Sequence, residues 1–238
     1  GIAIDQRVDF HIAPQAVIRT QLIDVVNNSD LTTNPTFSIN NSNFSLDSTA
    51  CASLAAGSSC ELTVNYLATE LSSQTAIITI SSDDDNIPTS SAIISGQAIA
   101  SAPEIKAQLS SDDEALTWFS GGDNTWQLSS SDTETADMAI ESGDINDAQL
   151  SAVSLSFSGE GELAFDWSVS SEENVEAPDD PFDALYLFIN GVKTDFISGD
   201  VAYTNMTIDL AEGDHVITWV YQKDDFTSEL NDKAYLKN

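Results

Sequence analysis

Basic residues are scarce in this sequence, which has only 7 Lys and Arg among 238 residues. A protein that binds nucleic acid needs a basic face to meet the phosphate backbone, so the composition argues against DNA or RNA as a partner. Long apolar runs are also missing, because no stretch approaches the roughly 20 residues that a membrane-spanning helix requires. Helical patterns are almost absent, which points away from a helical fold.

The sequence also lacks the short motifs that are typical of common catalytic sites. It contains no Gly-x-Ser-x-Gly elbow, no His-Glu-x-x-His helix and no phosphate-binding loop. Its two histidines, His11 and His215, stand apart from any visible catalytic partner. Paired carboxylates catalyse glycoside hydrolysis, but among 39 acids some pair fits by chance. We therefore expect this chain to be non-catalytic.

Carboxylates are what the chain has in excess. Asp and Glu number 39, which gives a formal net charge of −32. The excess is uneven, since residues 1–102 carry ten acids and two bases whereas residues 103–238 carry 29 acids and five bases. Because 41% of the residues are apolar, this is not a disordered acidic tail. A folded domain of this charge must offset its self-repulsion with cations, salt or geometry.

Short alternating runs of apolar and polar residues, separated by turn-forming residues, recur along the whole chain. This pattern predicts an all-β protein, and the length together with the step in charge favours two β-sandwich domains, residues 1–101 and 102–238. Residues 98–103, which are small and end in Pro103, are typical of a short connector. We expect about seven strands in the first domain and eight or more antiparallel strands in the second.

The two cysteines, Cys51 and Cys60, flank a turn-like stretch in the first domain. A local disulfide between them predicts an oxidising compartment, whereas the alternative is a pair of reduced cysteines in a cytosolic protein. Asp83, Asp84 and Asp85 lie in a predicted turn, which we interpret as solvated rather than as a calcium loop.

A set of ordered motifs in the first domain carries a family resemblance. The motifs are Asn28-Ser29, Phe44-Ser45-Leu46, Cys51, Gly57-Ser58-Ser59-Cys60, Ser81-Ser82-Asp83-Asp84, Ile87-Pro88 and Ser95-Gly96. Over roughly residues 15–100 the chain resembles the bacterial immunoglobulin-like choice-of-anchor D domain, which is related to the ASPM/SPD-2/Hydin group. The resemblance implies a spacer or interaction module on a surface or secreted protein.

The second domain carries a different resemblance over roughly residues 115–238. Its motifs are Trp126-Gln127-Leu128, Ser142-Gly143-Asp144-Ile145, residues 163–172, residues 183–191, Gly213-Asp214-His215, residues 219–224 and residues 232–236. This ordered set is similar to bacterial MAM-like modules. The resemblance implies a jelly-roll or laminin-G-like sandwich that binds proteins or glycans, often with calcium.

Two acidic loops of the second domain are the candidate metal site. Residues 171–183 hold six acids, and residues 223–232 hold four, Glu229 among them. If both loops fall at one end of the sandwich, their carboxylates supply the oxygen ligands that calcium prefers. The predicted ligands, chosen because they border strands, are Glu172, Asp183, Asp224 and Asp232. The alternative is that these acids are solvated, as in proteins adapted to salty water.

Aromatic residues beside a Gly-Gly turn are the candidate ligand contacts. Trp118 and Trp126 flank this turn, and exposed rings there would stack on sugar faces, whereas buried rings would belong to the core. The sequence begins without Met and ends in a predicted strand, so we expect a fragment of a longer bacterial protein, extracellular or on the cell surface, with the periplasm as an alternative. We predict a spacer followed by a calcium-stabilised adhesion module; the alternative is a pair of accessory domains of a secreted hydrolase.

Overall fold

The computed structural model describes residues 1–110, 113–129, 139–227 and 230–237. Two compact units divide the chain between Ala98 and Ile99. Nearly all of the described secondary structure is β-strand, which confirms the all-β prediction. Each unit is described separately below.

The first unit is built from two β-sheets. One sheet has the order β1-β3-β6-β5, and the other has the order β2-β8-β7-β4. Alternating residues of the long strands are buried, as in Ser59–Leu67 and Ser73–Ser81, because one face of each sheet packs on the core. The strands are β1 Ile2–Ile4, β2 Arg7–Pro14, β3 Ile18–Asn27, β4 Thr36–Ile39, β5 Phe44–Asp47, β6 Ser59–Leu67, β7 Ser73–Ser81 and β8 Ser90–Ser101.

Aromatic rings lie at the centre of the first core. The ring of Tyr66 stacks on that of Phe44 with centroids 4.6 Å apart, and Phe10 packs against Tyr66 at 5.5 Å. Gly96 leaves the space for this ring, because a Cβ at that position would lie 2.5 Å from Tyr66 Cε1. The Ser95-Gly96 motif in the sequence therefore has a packing reason.

The Cys51–Cys60 disulfide is present, as predicted. Cys51 is buried at the end of a single 3₁₀ turn, Thr49–Cys51, and Cys60 lies in β6, so the bond ties a loop to the sheet. The disulfide indicates an oxidising compartment.

Two sheets also form the second unit. The first sheet has the order β16-β15-β18-β13-β9, with β10 parallel to β13, and the second has the order β11-β12-β19-β14-β17. The elements are α1 Pro103–Leu109, β9 Thr117–Gly122, β10 Asn124–Thr125, β11 Gln127–Leu128, β12 Ala139–Glu141, β13 Leu150–Ser158, β14 Gly161–Ser170, β15 Ala184–Ile189, β16 Val192–Ile197, β17 Asp200–Leu210, β18 Asp214–Gln222 and β19 Lys233–Lys237.

The predicted connector, residues 98–103, is wrong. Strand β8 runs on to Ser101, and Ala100 and Ser101 pair with Ser120 and Phe119 of β9. Pro103 then begins α1. The first residues of a helix have no partner for their N–H within the helix, so a proline there loses no hydrogen bond. Ile105 and Leu109 of this helix are buried. Small residues and a proline are typical of a linker, but the same residues also suit the end of a strand and the start of a helix.

The core of the second unit lies between its two sheets. Trp118 stacks on Trp219 at 6.1 Å, and the ring of Phe165 meets Trp219 edge-on at 5.0 Å. Both faces of β18 are largely buried, because seven consecutive residues from His215 to Tyr221 are covered. Lys223 directly follows this central strand and therefore lies at one end of the sandwich.

Candidate functional site

Strand ends from both sheets of the second unit converge on Lys223. In the first sheet Ala184 pairs with Gln222 and Leu150 pairs with Gln222, so β15 and β13 both begin beside the end of β18. In the second sheet Lys233 of β19 pairs with Ser170 at the end of β14. The loops 171–183 and 223–232 therefore lie at the same end of the sandwich.

Lys223 is a buried cation in this cluster, with its side chain only 2% exposed. Its ammonium donates to Asp232 Oδ2 at 2.9 Å and lies 3.3 Å from Asp147 Oδ1. Burial on its own lowers the pKa of Lys223, but the hydrogen bonds to Asp232 and Asp147 outweigh it, so the pKa is raised above its usual value. The lysine therefore stays charged and neutralises the carboxylates around it.

Asp183 is fully buried beside this ammonium. Its Oδ1 accepts the backbone N–H of Asp224 at 2.9 Å, which ties the two acidic loops together, while its Oδ2 has no hydrogen-bond partner among the described residues. Burial raises the pKa of Asp183 to about 6, against the lowering effects of the Asp224 N–H and of Lys223. Desolvation of the charged form outweighs both favourable contacts at this position.

Tyr221 lies in the same buried, negatively charged environment as Asp183. Its hydroxyl is buried with no hydrogen-bond partner among the described residues. Burial first, and then the charges of Asp183 and Asp232, raise its pKa far above the usual range. The phenol is thus held neutral as part of the wall of the cluster.

Three of the four predicted calcium ligands, Asp183, Asp224 and Asp232, meet here, and their carboxylates already have partners within the protein. Asp183 Oδ1 and Asp224 Oδ1 accept backbone N–H groups, and Asp232 Oδ2 accepts the Lys223 ammonium. Among the described residues, no group of three or more His, Cys, Asp or Glu side chains is placed to hold a metal ion. A calcium ion beside Lys223 would also meet cation repulsion. Calcium binding stays a prediction from the sequence.

The fourth predicted ligand, Glu172, lies near the start of loop 171–183. Glu172 is half-buried, and its carbonyl oxygen accepts the Ser198 hydroxyl at 3.2 Å. The same hydroxyl donates to the carbonyl oxygen of Asp183 at 2.6 Å, so Ser198 connects the two ends of loop 171–183. Glu229 lies outside the described residues.

Trp118 and Trp126, the candidate ligand contacts, are only 7% and 1% exposed, so of the two alternatives both rings belong to the core. Trp118 donates its indole N–H to Ser110 Oγ at 2.8 Å and lines an apolar cavity of about 70 Å³ with Phe165 and Trp219. Small-molecule sites usually occupy roughly 300–1,000 Å³, so this cavity is too small for a sugar. A Gly-Gly turn in the sequence does not reveal whether the flanking rings turn inward.

Asp83 in the first unit is exposed, in line with the solvated turn predicted from the sequence, and its carboxylate also makes several hydrogen bonds. Its carboxylate accepts hydrogen bonds from Thr33 Oγ1 at 2.8 Å and from the backbone and side chain of Asn34 at 2.9 and 2.7 Å. The bond from the Asn34 N–H, the side-chain bond from Asn34 and the one from Thr33, in that order, lower the pKa of Asp83 to about 2. The charged carboxylate therefore links the loop that contains Asp83 to the loop that contains Thr33 and Asn34.

Lys223 is the functional-site residue that sequence reasoning missed. The signal was present, since Lys223 is one of only five bases among 29 acids in residues 103–238 and directly follows the apolar run of β18. A lone base at the end of a buried strand is a candidate internal counterion, because buried carboxylates need a paired cation.

Comparisons with known proteins give a fold but no family. No family model matches the chain, and no curated protein matches it. Among solved structures, the secreted serine protease VesC from Vibrio cholerae matches 100% of this chain with a TM-score of 0.56 and 17% identity. The Vibrio cholerae VesB protease matches 40% of the chain (31% of VesB) at 16% identity, and the Escherichia coli chaperone DraB matches 90% (87% of DraB) at 12%, with TM-scores of 0.35 and 0.31.

The chain spans 50% of the length of VesC. At 17% identity this likeness shows the fold, a pair of β-sandwich units, and leaves the choice-of-anchor D and MAM-like names as predictions. No helix within the described ranges is long and apolar enough to cross a membrane.

Proposed function

We propose that this chain is a non-catalytic pair of accessory domains belonging to an exported hydrolase of the serine-protease class. The observation that carries the proposal is the match of the whole chain to half of the secreted protease VesC. The first unit serves as a spacer, and the second unit provides the surface that meets a partner or substrate.

The surroundings of His215 support a structural rather than a catalytic role for this histidine. A serine nucleophile needs a histidine base within hydrogen-bond reach. The Nε2 atom of His215 faces the carbonyl oxygens of Ala211 at 2.8 Å and Gly159 at 3.1 Å, neither of which is a nucleophile. The disulfide supports export, because such bonds persist in oxidising compartments.

The test compares the isolated chain with the full-length protein that its gene encodes. The chain alone should hydrolyse neither a protein nor an ester substrate, and the gene should encode a hydrolase domain in addition. Deletion of residues 1–238 from the full-length protein should leave cleavage of a short soluble peptide intact and weaken cleavage of a large protein substrate. Hydrolysis by the chain alone, or a gene without a hydrolase domain, would refute the proposal.

A further inference from the structure

Exposed apolar side chains are concentrated on the two acidic loops of the second unit. Six large apolar side chains of this unit are exposed within the described residues, and four of them lie on loops 171–183 and 223–232. Val175 and Phe226 are each 74% exposed, Leu230 is 63% exposed and Phe182 is 41% exposed. Exposed apolar groups that share one end of a domain are typical of interaction sites, whereas scattered single ones are ordinary.

Hydrogen bonds of the cluster hold the ends of the two loops, which carry Phe182, Phe226 and Leu230, beside each other. Phe182 directly precedes Asp183, and Phe226 lies two residues after Asp224, the residue whose N–H bonds to Asp183. The Asn231 N–H, next to Leu230, donates to Ser170 Oγ at the start of the other loop at 3.3 Å. The two loops therefore present their apolar side chains from a shared base.

Side-chain hydrogen bonds order loop 171–183 before any partner arrives. Asn174 donates its side-chain amide to the carbonyl oxygen of Asp180 at 2.8 Å and accepts the N–H of Ala177 at 3.0 Å. Leu230 and Asp232 have φ values of 62° and 48°, in the left-handed region that costs free energy for residues other than glycine. A surface that is ordered in advance loses less entropy on binding.

The charge around these side chains selects the partner. Loop 171–183 has six acids and no base, and the one base of loop 223–232, Lys223, is buried and already paired. An anionic surface of this kind repels nucleic acids and anionic lipid headgroups and attracts a basic segment.

We propose that the surface formed by residues 171–183, 223–227 and 230–232, the acidic–apolar surface, binds a protein segment that carries Lys or Arg next to apolar side chains. The apolar groups of the segment pack on Phe182 and Phe226, and its cations meet the surrounding carboxylates. The proposal deepens the proposed function, on which it rests, by naming the class of partner that the second unit meets.

The test uses the full chain, enriched in ¹⁵N, and three synthetic peptides of equal length followed by amide chemical shifts. One peptide alternates Lys with Leu and Phe, the second replaces Leu and Phe by Ser, and the third replaces Lys by Gln. The first should bind and shift amides of loops 171–183 and 223–232, and the other two should bind at least about tenfold more weakly.

Variants localise the binding. Phe182→Ala with Phe226→Ala should weaken binding of the first peptide about tenfold or more, while the control Ile77→Ala with Ile93→Ala, on an exposed face of the first unit, should leave it unchanged. Asp179→Asn with Asp180→Asn, at exposed positions, gives a second test that spares the apolar groups and should weaken binding severalfold. Unchanged tryptophan emission confirms that the second-unit variants are folded, because all four tryptophans lie in that unit. Unchanged amide chemical shifts of residues 1–98 away from the two substitutions confirm the same for the isoleucine control.

Three outcomes would overturn the proposal: no binding of the first peptide, equal binding of the Lys-Ser peptide, or equal losses in the Phe and Ile variants. Tighter binding to anionic lipid vesicles than to the peptide would also overturn it, since the partner would then be a membrane. None of these results bears on hydrolysis by the chain or on the parent gene, so a failure here is distinguishable from a failure of the proposed function.

Discussion

The two units join their loops by different chemistry. The first unit uses the Cys51–Cys60 disulfide and a hydrogen-bonded Asp83 with a pKa of about 2, whereas the second unit uses a buried ammonium among carboxylates, one of which has a pKa of about 6. Charged hydrogen-bond donors surround neither Asp83 nor the disulfide. The comparison shows that the second unit, which has 29 acids, holds the ends of its two acidic loops together around one buried base, Lys223.

Removal of Lys223 should have the largest effect, and only in the second unit. Lys223→Met leaves Asp232 and Asp183 without their buried cation, so we expect a loss of about 3–5 kcal/mol in the free energy of unfolding. Denaturant unfolding followed by tryptophan emission measures this unit alone, because all four tryptophans lie in it. The exposed Lys193→Met is the matched control and should change stability little.

Calcium sharpens the same prediction. If Lys223 is the counterion, calcium and a chelator should give the same unfolding midpoint for the unaltered chain at matched ionic strength. A midpoint that rises with calcium concentration, and that is lost in Asp183→Asn with Asp224→Asn, would contradict this reading and support the metal site predicted from the sequence.

Loss of the disulfide should affect the first unit. Replacing Cys51 and Cys60 by Ala frees a short loop, so we expect a loss of about 2–3 kcal/mol there. Hydrogen exchange followed by mass spectrometry, read at β6 and β7, measures this loss. Faster exchange at β13 or β18 would show that the two units do not respond separately.

Asp183→Asn should act with the opposite sign. The folded pKa of Asp183 is raised, so its contribution to stability is present below about pH 4 and is lost as the pH rises through about 6. Asparagine keeps the acceptor for the Asp224 N–H without the buried charge, and we expect it to stabilise the second unit by about 1–3 kcal/mol at pH 8. The unfolding free energy between pH 4 and 8 should flatten in this variant and not in the exposed control Asp209→Asn.

Asp83 should show the smallest effect, again in the other direction. Its folded pKa is lowered to about 2, so its contribution is present above about pH 4 and is lost as the pH falls through about 2. Asp83→Asn should make the first unit less sensitive to acid between pH 4 and 2, as measured by hydrogen exchange at β7. An unchanged acid sensitivity would show that the hydrogen bonds from Thr33 and Asn34 do not depend on the charge.

The sequence predicted the strands well because alternation follows directly from one buried face. It also predicted the disulfide and the part of the chain where Asp183, Asp224 and Asp232 meet, since strand ends fix loop positions. It left open whether Trp118 and Trp126 are buried, which depends on the opposite sheet, and it failed for residues 98–103, where Pro103 fits a linker and a helix start equally well. Lys223 was not predicted because an excess of carboxylates fits a bound metal ion as well as an internal lysine.

The covalent attachment of the Lys223 ammonium has a consequence for the surroundings in which this domain works. A bound ion exchanges with the medium, and its occupancy falls when the medium is diluted or contains competing ligands. An ammonium at the end of β18 is tethered by its own side chain, so its effective concentration at the site does not depend on the composition of the medium. The carboxylates at this end of the second unit therefore keep a counterion whatever ions the medium contains.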